Sequence, residues 1–339
     1  MKNAVIFGGS GFIGMFFAKH LLEDSNFDKV FILDLIPPNE KNSSFREKQF
    51  FGLGKKVSFI KCDVRKEIDW QVNEQIDLIA NFAAIHREPG HKDFEYFETN
   101  IYGAENICKW AEKNNCNSII FSSSISPYGS ENTQKDENTL PVPTSAYGSS
   151  KLVAEKIHNA WFERDSENRL LVIARPGVVF GPGEGGNVSR LIKALKKNYF
   201  IYMGNKDVRK AGIYVKELCN VMTWSRDIAK SKKKKVVLLN GTMDPGPSIE
   251  EYVQCILKIL NKKSIIPRLP FRVLLFISYF IEFLTRPLKL EHPFSPVRIM
   301  KLTRSNDIKP KFLKENFYQY LYSLDEALLD WKRDCPEEW

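Results

Sequence analysis

A glycine-rich turn near the start of the chain constrains the fold more than any other feature. The turn, GGSGFIG at 8–14, follows the apolar run AVIF and opens an amphipathic helical pattern, FIGMFFAKHLLED. Glycines at a strand-to-helix turn allow a tight backbone and a close approach of a pyrophosphate to the N-terminus of the helix. The expected cofactor contacts in this turn are Gly8, Ser10, Gly11, Phe12, Ile13 and Gly14.

Two of the following apolar runs end on an aspartate. Asp34 follows Gly14 by twenty residues, and a carboxylate there can bind the 2′-hydroxyl of an adenosine ribose and would repel a 2′-phosphate. No Arg or Lys follows it immediately, so the sequence predicts NAD in preference to NADP. Asp63, after the run VSFIKC, could accept a hydrogen bond from the adenine amino group, and it could equally cap the strand end.

Apolar runs alternate with helical patterns through the first half of the chain. The runs VFILDL, VSFIKCDV, LIANFAA and SIIFSSS indicate buried strands between helices, and this alternation is typical of a parallel sheet covered on both faces. We predict an α/β fold, a Rossmann-type doubly wound parallel sheet with a smaller, mostly C-terminal substrate-binding lobe. The predicted NAD-binding domain is 1–180, to which a strand near 236–240 returns, and the predicted substrate-binding lobe is 181–339.

The composition is that of an ordinary globular protein. The 339 residues are 43% hydrophobic and 27% charged, which excludes a disordered chain. Six cysteines are scattered without a CxxC pair, which indicates a reducing compartment and neither a zinc site nor a disulfide framework. No metal-ligand spacing is present. Because MKNAVIFGG leads directly into a strand pattern without a signal peptide, we expect a cytoplasmic location.

Two stretches bear on possible partners. The net charge of +9 is dispersed and no nucleic-acid-binding motif accompanies it, so we predict no nucleic-acid partner and interpret the basic run Lys230–Lys235 as a solvated loop. Residues 271–284, FRVLLFISYFIEFL, are apolar nearly all round and too short to span a bilayer. Burial is the favoured interpretation of such a helix. The alternative is peripheral contact of 271–284 with the inner face of the cytoplasmic membrane.

A helical start, SAYGSSKLVAEK, carries a Tyr and a Lys four residues apart. Tyr147 and Lys151 therefore lie on one helix face, where the ammonium, together with an oxidised nicotinamide, would lower the pKa of the phenol. Ser124 ends the strand pattern SIIFSSS and could share the proton. Taken alone, Tyr147 and Lys151 could be a surface aromatic and a salt-bridge partner. The glycine turn and Ser124 make a catalytic role the stronger interpretation.

Together these motifs resemble the extended short-chain dehydrogenase/reductase family. The resemblance covers nearly the whole chain and rests on GGSGFIG, Asp34, Asp63-Val64, NFAA, Thr99-Asn100, SSS with YG, YGSSK and RPGVVFGP. It implies that Tyr147 is the base, that Ser124 assists it, and that Lys151 holds both the Tyr and the nicotinamide ribose. The further cofactor-lining residues that it implies are Val64, Ala83, Ala84, Asn100, Ser122 and Pro176. It also implies a homodimer formed through the helices around Tyr102 and Lys151.

The two residues that follow the serine triplet limit the reactions that this site could catalyse. Sugar dehydratases of the family carry an Asp-Glu pair there and nucleotide-sugar decarboxylases a Glu, whereas this chain has Ile125 and Ser126, which cannot act as general acids or bases. The remaining chemistry is removal of a proton from a sugar hydroxyl, expected at C4, by Tyr147, with hydride transfer to the nicotinamide and formation of a 4-keto sugar. An epimerase would reduce this ketone on its other face, whereas a dehydrogenase or reductase would release its product. The sequence leaves both open.

Departures from the common epimerase pattern bear on the substrate. Val178 stands where many relatives carry an Asn, and the loop NFAAIHREPGH places His86, Arg87 and His91 near the nicotinamide end. This loop, GNV at 186–188, the apolar helix and a VR pair at 297–298 resemble a subgroup of bacterial 4-epimerases that convert N-acetylglucosamine attached to undecaprenyl diphosphate. The resemblance implies a diphosphate-activated sugar, on a nucleotide or polyprenyl carrier, as the small-molecule partner, in surface polysaccharide biosynthesis. The candidate substrate contacts are His86, Arg87, Ser124, Asn187, Arg190 and Arg209.

Two other functions stay open. The RPxxVFGP pattern and the apolar C-terminal region would also suit a sterol or 3β-hydroxysteroid-type dehydrogenase. A redox-sensing protein that binds NAD without catalysis would share the fold, but such proteins usually lack the Tyr and Lys pair that this chain keeps.

Overall fold

The computed structural model of the protein describes residues 1–40, 44–88, 90–130, 133–232, 235–285 and 305–339. The VR pair at 297–298, and Lys233 and Lys234 of the basic run, lie outside these residues. The interpretations given to them above therefore stay predictions.

Within the described residues, seven strands form one sheet in which every neighbouring pair is parallel. They are β1 (Asn3–Phe7), β2 (Lys29–Asp34), β3 (Val57–Lys61), β4 (Leu78–Asn81), β5 (Ser118–Ser122), β6 (Leu170–Pro176) and β10 (Val236–Gly241). Two short pairs lie outside it, formed by β7 (Val178–Phe180) with β9 (Gly212–Tyr214) and by β8 (Tyr202–Met203) with β11 (Arg268–Leu269). The order of the large sheet is β10-β6-β5-β4-β1-β2-β3.

Helices cover this sheet and continue into the C-terminal part. They are α1 (Phe12–Glu23), α2 (Ser44–Gly52), α3 (Asp93–Phe97), α4 (Gly103–Lys113), α5 (Ala146–Glu163), α6 (Asn187–Lys196), α7 (Val215–Ser231), α8 (Ile249–Ile259), α9 (Phe271–Thr285), α10 (Lys311–Glu315) and α11 (Leu324–Asp334). A π-helical turn, Glu98–Tyr102, joins α3 to α4.

The sheet is apolar on both faces because helices cover both. Alternate residues of β1 belong to two different buried clusters, with Val5 and Phe7 in one and Ala4 and Ile6 in the other. The first cluster includes side chains of α4 and α5, and the second includes side chains of α1, α7 and α8. The predicted Rossmann-type, doubly wound α/β fold is confirmed. The boundary between the two predicted domains, at 180/181, stays a prediction.

The strand order reverses between β1 and β4. β1 is followed by β2 on one side, whereas β4, next to it, leads on to β5 and β6 on the other. In sheets of this type, ligands bind in the crevice outside the carboxyl ends of the strands at that point. The residues that follow β1, β4 and β5 therefore meet at the same crevice.

The structure corrects one interpretation of the apolar helix α9. Burial was favoured, but Phe276, Tyr279 and Phe280 are 73%, 56% and 57% exposed, and only one side of the helix, with Leu274 and Ser278, is buried. Nearly uniform apolarity does not distinguish a buried helix from one that presents an apolar face outward. Among the described residues no helix is long and apolar enough to cross a membrane.

Candidate active site

Two positions of the glycine turn after β1, Gly8 and Gly14, have no room for a side chain. Gly8 has φ +74°, and a Cβ atom at Gly8 would lie 2.5 Å from the backbone nitrogen of Ala83. A Cβ atom at Gly14 would lie 2.6 Å from Cα of Gly9. At Gly8 the turn therefore packs directly against the chain that leaves β4, and a side chain there would force the two backbones apart.

Two features of this turn fit a bound pyrophosphate. No side chain caps the N-terminus of α1, which begins after Gly11, so the amides of Phe12 and Ile13 are available to an anion. The hydroxyl of Ser10 is buried and has no hydrogen-bond partner among the described residues. An oxygen-rich anion at the helix N-terminus would satisfy both groups, and NAD carries such an anion.

The ends of β2 and β3 form the region expected for adenosine. Asp34 Oδ2 accepts a hydrogen bond from the amide of Ser10 at 3.2 Å, which ties the carboxylate to the glycine turn. Arg46 of α2 lies close enough for the charge of Asp34 to raise its pKa, although burial, the larger effect, lowers it. The sequence pattern did not indicate Arg46, because it is separated from Asp34 by a loop and a helix start. The carboxylate of Asp63 accepts from Arg65 Nε at 2.9 Å and Nη2 at 2.7 Å.

Asn100 links the loop after β4 to the catalytic helix. Its Oδ1 accepts from the amide of Ile85 at 3.2 Å, and its Nδ2 donates to the hydroxyl of Ser150 at 2.8 Å. Ser150 in turn donates to the carbonyl of Tyr147 at 2.9 Å. Asn100 lies in the π-helical turn, and such turns are frequent at functional sites. The residues Ala83 and Ala84, expected beside the cofactor, directly precede this linked loop.

Ser124, Tyr147 and Lys151 lie at the carboxyl end of β5 and the start of α5. Lys151 is only 2% exposed, and its Nζ donates to the carbonyl of Ser122 at 2.8 Å and lies 4.9 Å from the ring centroid of Phe121. Burial lowers the pKa of Lys151 to about 7, against the opposing charge of Glu155. A buried ammonium this close to neutral pH responds strongly to any charge placed beside it.

Three neighbouring residues influence the pKa of the Tyr147 phenol. Burial raises its pKa to about 12, a hydrogen bond with Ser124 opposes this, and the charge of Glu88 and the nearby Tyr96 add to it. The rings of Tyr96 and Tyr147 lie 6.0 Å apart, and Tyr96 donates to the carbonyl of Arg87. A lower pKa of Tyr147, as expected from its sequence motif, depends on the positive charges of Lys151 and of an oxidised nicotinamide. Glu88 and Tyr96 were not singled out from the sequence, although Glu88 directly follows the predicted His86 and Arg87.

The candidate substrate residues are spread over three places. The side chain of His86 is exposed, and its pKa is lowered by desolvation and by the charge of Lys151. Arg87 is exposed on the same loop, and Asn187 and Arg190 are exposed on the first turn of α6. Arg209 donates to the carbonyl of Gly246 at 2.6 Å and lies 3.4 Å from Glu251. The roles of these residues stay predictions.

A dinucleotide crevice with a Ser, Tyr and Lys at the carboxyl edge of the same sheet defines a nicotinamide-dependent oxidoreductase of the short-chain dehydrogenase/reductase type. The chain belongs to the NAD dependent epimerase/dehydratase family, whose sequence profile matches residues 4–238. The protein is therefore an NAD-dependent enzyme of the extended short-chain dehydrogenase/reductase type, as the sequence predicts.

Individual relatives extend the match over almost the whole chain. An N-acetyl-alpha-D-glucosaminyl-diphospho-ditrans,octacis-undecaprenol 4-epimerase of Escherichia coli O157:H7 is 27% identical over 96% of this chain and 93% of its own length. A UDP-glucose 4-epimerase of Bacillus subtilis is 24% identical over 76% of this chain and 82% of its own. The crystal structure of UDP-glucuronic acid 4-epimerase from Bacillus cereus in complex with NAD covers 97% of this chain and 96% of that one, with a TM-score of 0.71 and 21% identity. This last likeness supports the fold.

Proposed function

We propose that the protein is a 4-epimerase of a sugar carried on a diphosphate and serves bacterial surface polysaccharide synthesis. The observation that carries the proposal is the grouping of Ser124, Tyr147 and Lys151 beside an apolar Ile125. Ile125 packs with Tyr128, Ala211 and Ile308, so the strand end after Ser124 supplies an apolar wall where dehydratases and decarboxylases need a carboxylate.

The proposed reaction uses few protein groups. The phenolate of Tyr147 takes the proton of the sugar 4-hydroxyl, Ser124 holds that oxygen by a hydrogen bond, and the charge of Lys151 stabilises the phenolate. NAD, when bound, would supply the hydride acceptor and donor at C4. Inversion would follow when hydride adds to the opposite face of C4 and Tyr147 gives the proton back to the 4-oxygen, with no net consumption of cofactor.

A substrate panel tests this proposal. We would incubate the protein with substoichiometric NAD in deuterated water and UDP-glucose, UDP-N-acetylglucosamine or undecaprenyl diphosphate-N-acetylglucosamine, and identify products by NMR. The expected result is a 4-epimer in large excess over NAD, without deuterium at C4. Accumulation of NADH and a ketone would instead assign a dehydrogenase, and loss of water from the sugar would contradict the role given to Ile125. A sterol with NAD serves as the comparison for the steroid alternative.

We further propose that the carrier is a polyprenyl lipid and that the protein meets it at an anionic membrane surface. The full-length similarity to an undecaprenol-linked sugar epimerase supports the carrier. The surface is supported by the exposed apolar side chains of α9, which we call the α9 surface: Phe271, Val273, Phe276, Ile277, Tyr279 and Phe280. Lys263, Arg268 and Arg272 are exposed just before and at the start of α9, together with Ile265. Apolar side chains flanked by cations match the chemistry of an anionic bilayer surface.

Replacing Phe276 and Phe280 together with serine should weaken binding to anionic vesicles by ~100-fold or more, because each Phe buried in the bilayer contributes about 1.5–3 kcal/mol. The measurement is co-sedimentation with vesicles of phosphatidylglycerol and phosphatidylethanolamine, compared with phosphatidylcholine alone. Binding should be weaker to the uncharged vesicles and should fall with added salt.

Phe317→Ser is the matched control, since Phe317 is 84% exposed and lies outside the α9 surface. It should bind vesicles as the unaltered protein does. The membrane proposal would be wrong if the Phe276/Phe280 double variant bound vesicles as tightly as the unaltered protein. It would also be wrong if this variant turned over lipid-linked and UDP-linked N-acetylglucosamine equally well. The epimerase proposal would stand in either case.

The proposed assembly is a homodimer through the helices around Tyr102 and Lys151. Tyr102 and Val153, on the turn before α4 and on α5, are exposed apolar side chains on two neighbouring helical segments. In a dimer that buries these side chains, an introduced charge would lose its hydration and destabilise the interface. Val153→Glu should therefore shift the mass found by sedimentation equilibrium from dimer to monomer, whereas Leu329→Glu, exposed on α11, should not.

A further inference from the structure

A buried ion pair lies directly beneath the catalytic residues. Arg175 of β6 donates to Glu155 of α5 through Nε at 2.8 Å and Nη2 at 2.6 Å, and both residues are at least 95% buried. Glu155 follows Lys151 by four residues, so the two side chains share a helix face. Arg175 belongs to the RPGVVFGP motif, to which the chemistry proposed above gives no role.

The same carboxylate holds the serine triplet. Ser123 donates to Glu155 Oε1 at 2.5 Å, while the carbonyl of Ser122 accepts from Lys151 at 2.8 Å. The amide of Ser123 donates to the carbonyl of Ala174 at 2.7 Å, next to Arg175. Two successive residues of the triplet are thus attached to two successive turns of α5. The third, Ser124, donates to the hydroxyl of Ser126 at 3.1 Å and is close enough to Tyr147 to lower the pKa of its phenol.

We propose that Glu155, held by Arg175, is a positioning residue that keeps the Lys151 ammonium charged and fixes the Ser122–Ser124 strand end under Tyr147. Glu155 acts through Lys151 and Ser123 and touches no reacting atom. Its negative charge opposes the loss of the Lys151 proton that burial favours. A charged Lys151 in turn stabilises the phenolate of Tyr147 and so favours proton removal from the substrate.

Arg175 is a positive charge paired with Glu155 itself, and the other ionisable groups facing these residues act in the opposite direction or are neutral. Glu88 and Tyr96 raise the pKa of Tyr147. Desolvation and the charge of Lys151 lower the pKa of His86, and burial lowers that of His158 on α5 to about 4, so the His158 imidazole is uncharged at neutral pH. Among the described groups, Glu155 is the one whose charge is found to favour the charged form of Lys151.

The test is the titration of Tyr147 in the complex with NAD, which requires no sugar and is independent of the substrate proposal. With tyrosine labelled by carbon-13 at Cζ, the Tyr147 NMR signal is identified by its loss in Tyr147→Phe. Glu155→Gln removes the charge and keeps the shape. Lys151 then loses its proton more easily, the phenolate loses its cation, and the Tyr147 midpoint should rise by about one pH unit.

Three further variants separate charge from packing. Glu155→Asp keeps the charge and should restore most of the midpoint, while Ser123→Ala breaks only the hydrogen bond and should lower the melting temperature with an unchanged midpoint. Because Glu155→Gln leaves Arg175 buried and unpaired and could fail to fold, the double variant Glu155→Gln/Arg175→Met removes both charges and should show a smaller rise of the same sign. A wild-type midpoint in either folded variant without the Glu155 charge overturns the proposal and leaves Glu155 a purely structural residue.

Discussion

Tyr147→Phe is expected to lower turnover of the true substrate by ~10³-fold or more, while NAD binds as before. The phenol is the proposed proton acceptor, with Ser124 among the groups that lower its pKa, and removing a general base of this kind typically costs about 10²–10⁴-fold. The ring itself remains, so its packing 6.0 Å from Tyr96 is kept. Turnover is measured by NMR of the epimer, and NAD affinity by calorimetry.

Tyr199→Phe is the matched control, because it makes the same change on an exposed side chain that follows the C-terminal end of α6 and has no proposed role. It should retain full turnover. If Tyr147→Phe kept a tenth or more of the wild-type rate, Tyr147 would not be the proton acceptor and another group, with Glu88 the nearest carboxylate implicated, would have to take that role.

Gly8→Ala should weaken the binding of NAD by ~100-fold or more. A side chain at this position is strained by the φ of +74° and would come within 2.5 Å of the Ala83 backbone, and neither backbone can withdraw without moving the floor of the cofactor crevice. Positive φ costs a residue with a side chain about 1–3 kcal/mol, and overpacking adds about 1–3 kcal/mol. Calorimetry with NAD and thermal unfolding are the two measurements.

Alanine substitutions at two other glycines distinguish the effect of backbone strain from that of steric contact. Gly54 has φ +57° with no atom near its Cβ position, and Gly52 has ordinary backbone geometry and equally open space. Gly54→Ala should lower the melting temperature without changing NAD affinity, and Gly52→Ala should change neither. Unchanged NAD affinity in Gly8→Ala would mean that the turn does not carry the pyrophosphate.

Features that depend on spacing along the chain were predictable from the sequence. The glycine turn, the aspartate at the end of β2 and the four-residue interval between Tyr147 and Lys151 are local patterns, and alternating strands and helices imply a parallel sheet. Because the carboxyl ends of parallel strands share one edge, the meeting of Ser124 with the glycine turn follows from the fold. These inferences needed no side-chain packing.

Features that depend on packing between distant segments were not predictable. Arg175 meets Glu155 across β6 and α5, and Arg46 comes close to Asp34 only through the placement of α2. In a sequence, a charged residue that forms a buried ion pair cannot be distinguished from one that is exposed to solvent. The exposure of α9 was missed for a related reason: its composition is compatible with a protein interior and with a lipid surface, and only the arrangement of its neighbours decides between them.

The π-helical turn at 98–102 has a consequence for how this site tolerates changes in chain length. A π turn holds one residue more than an α turn, and each residue of an α-helix rotates the chain by about 100°. Deleting any one of the other residues between 98 and 102 would thus restore an unbroken α-helix and rotate Asn100 away from Ile85 and Ser150. The orientation of Asn100 is set by the count of residues, so this segment should accept many substitutions and no single-residue deletion.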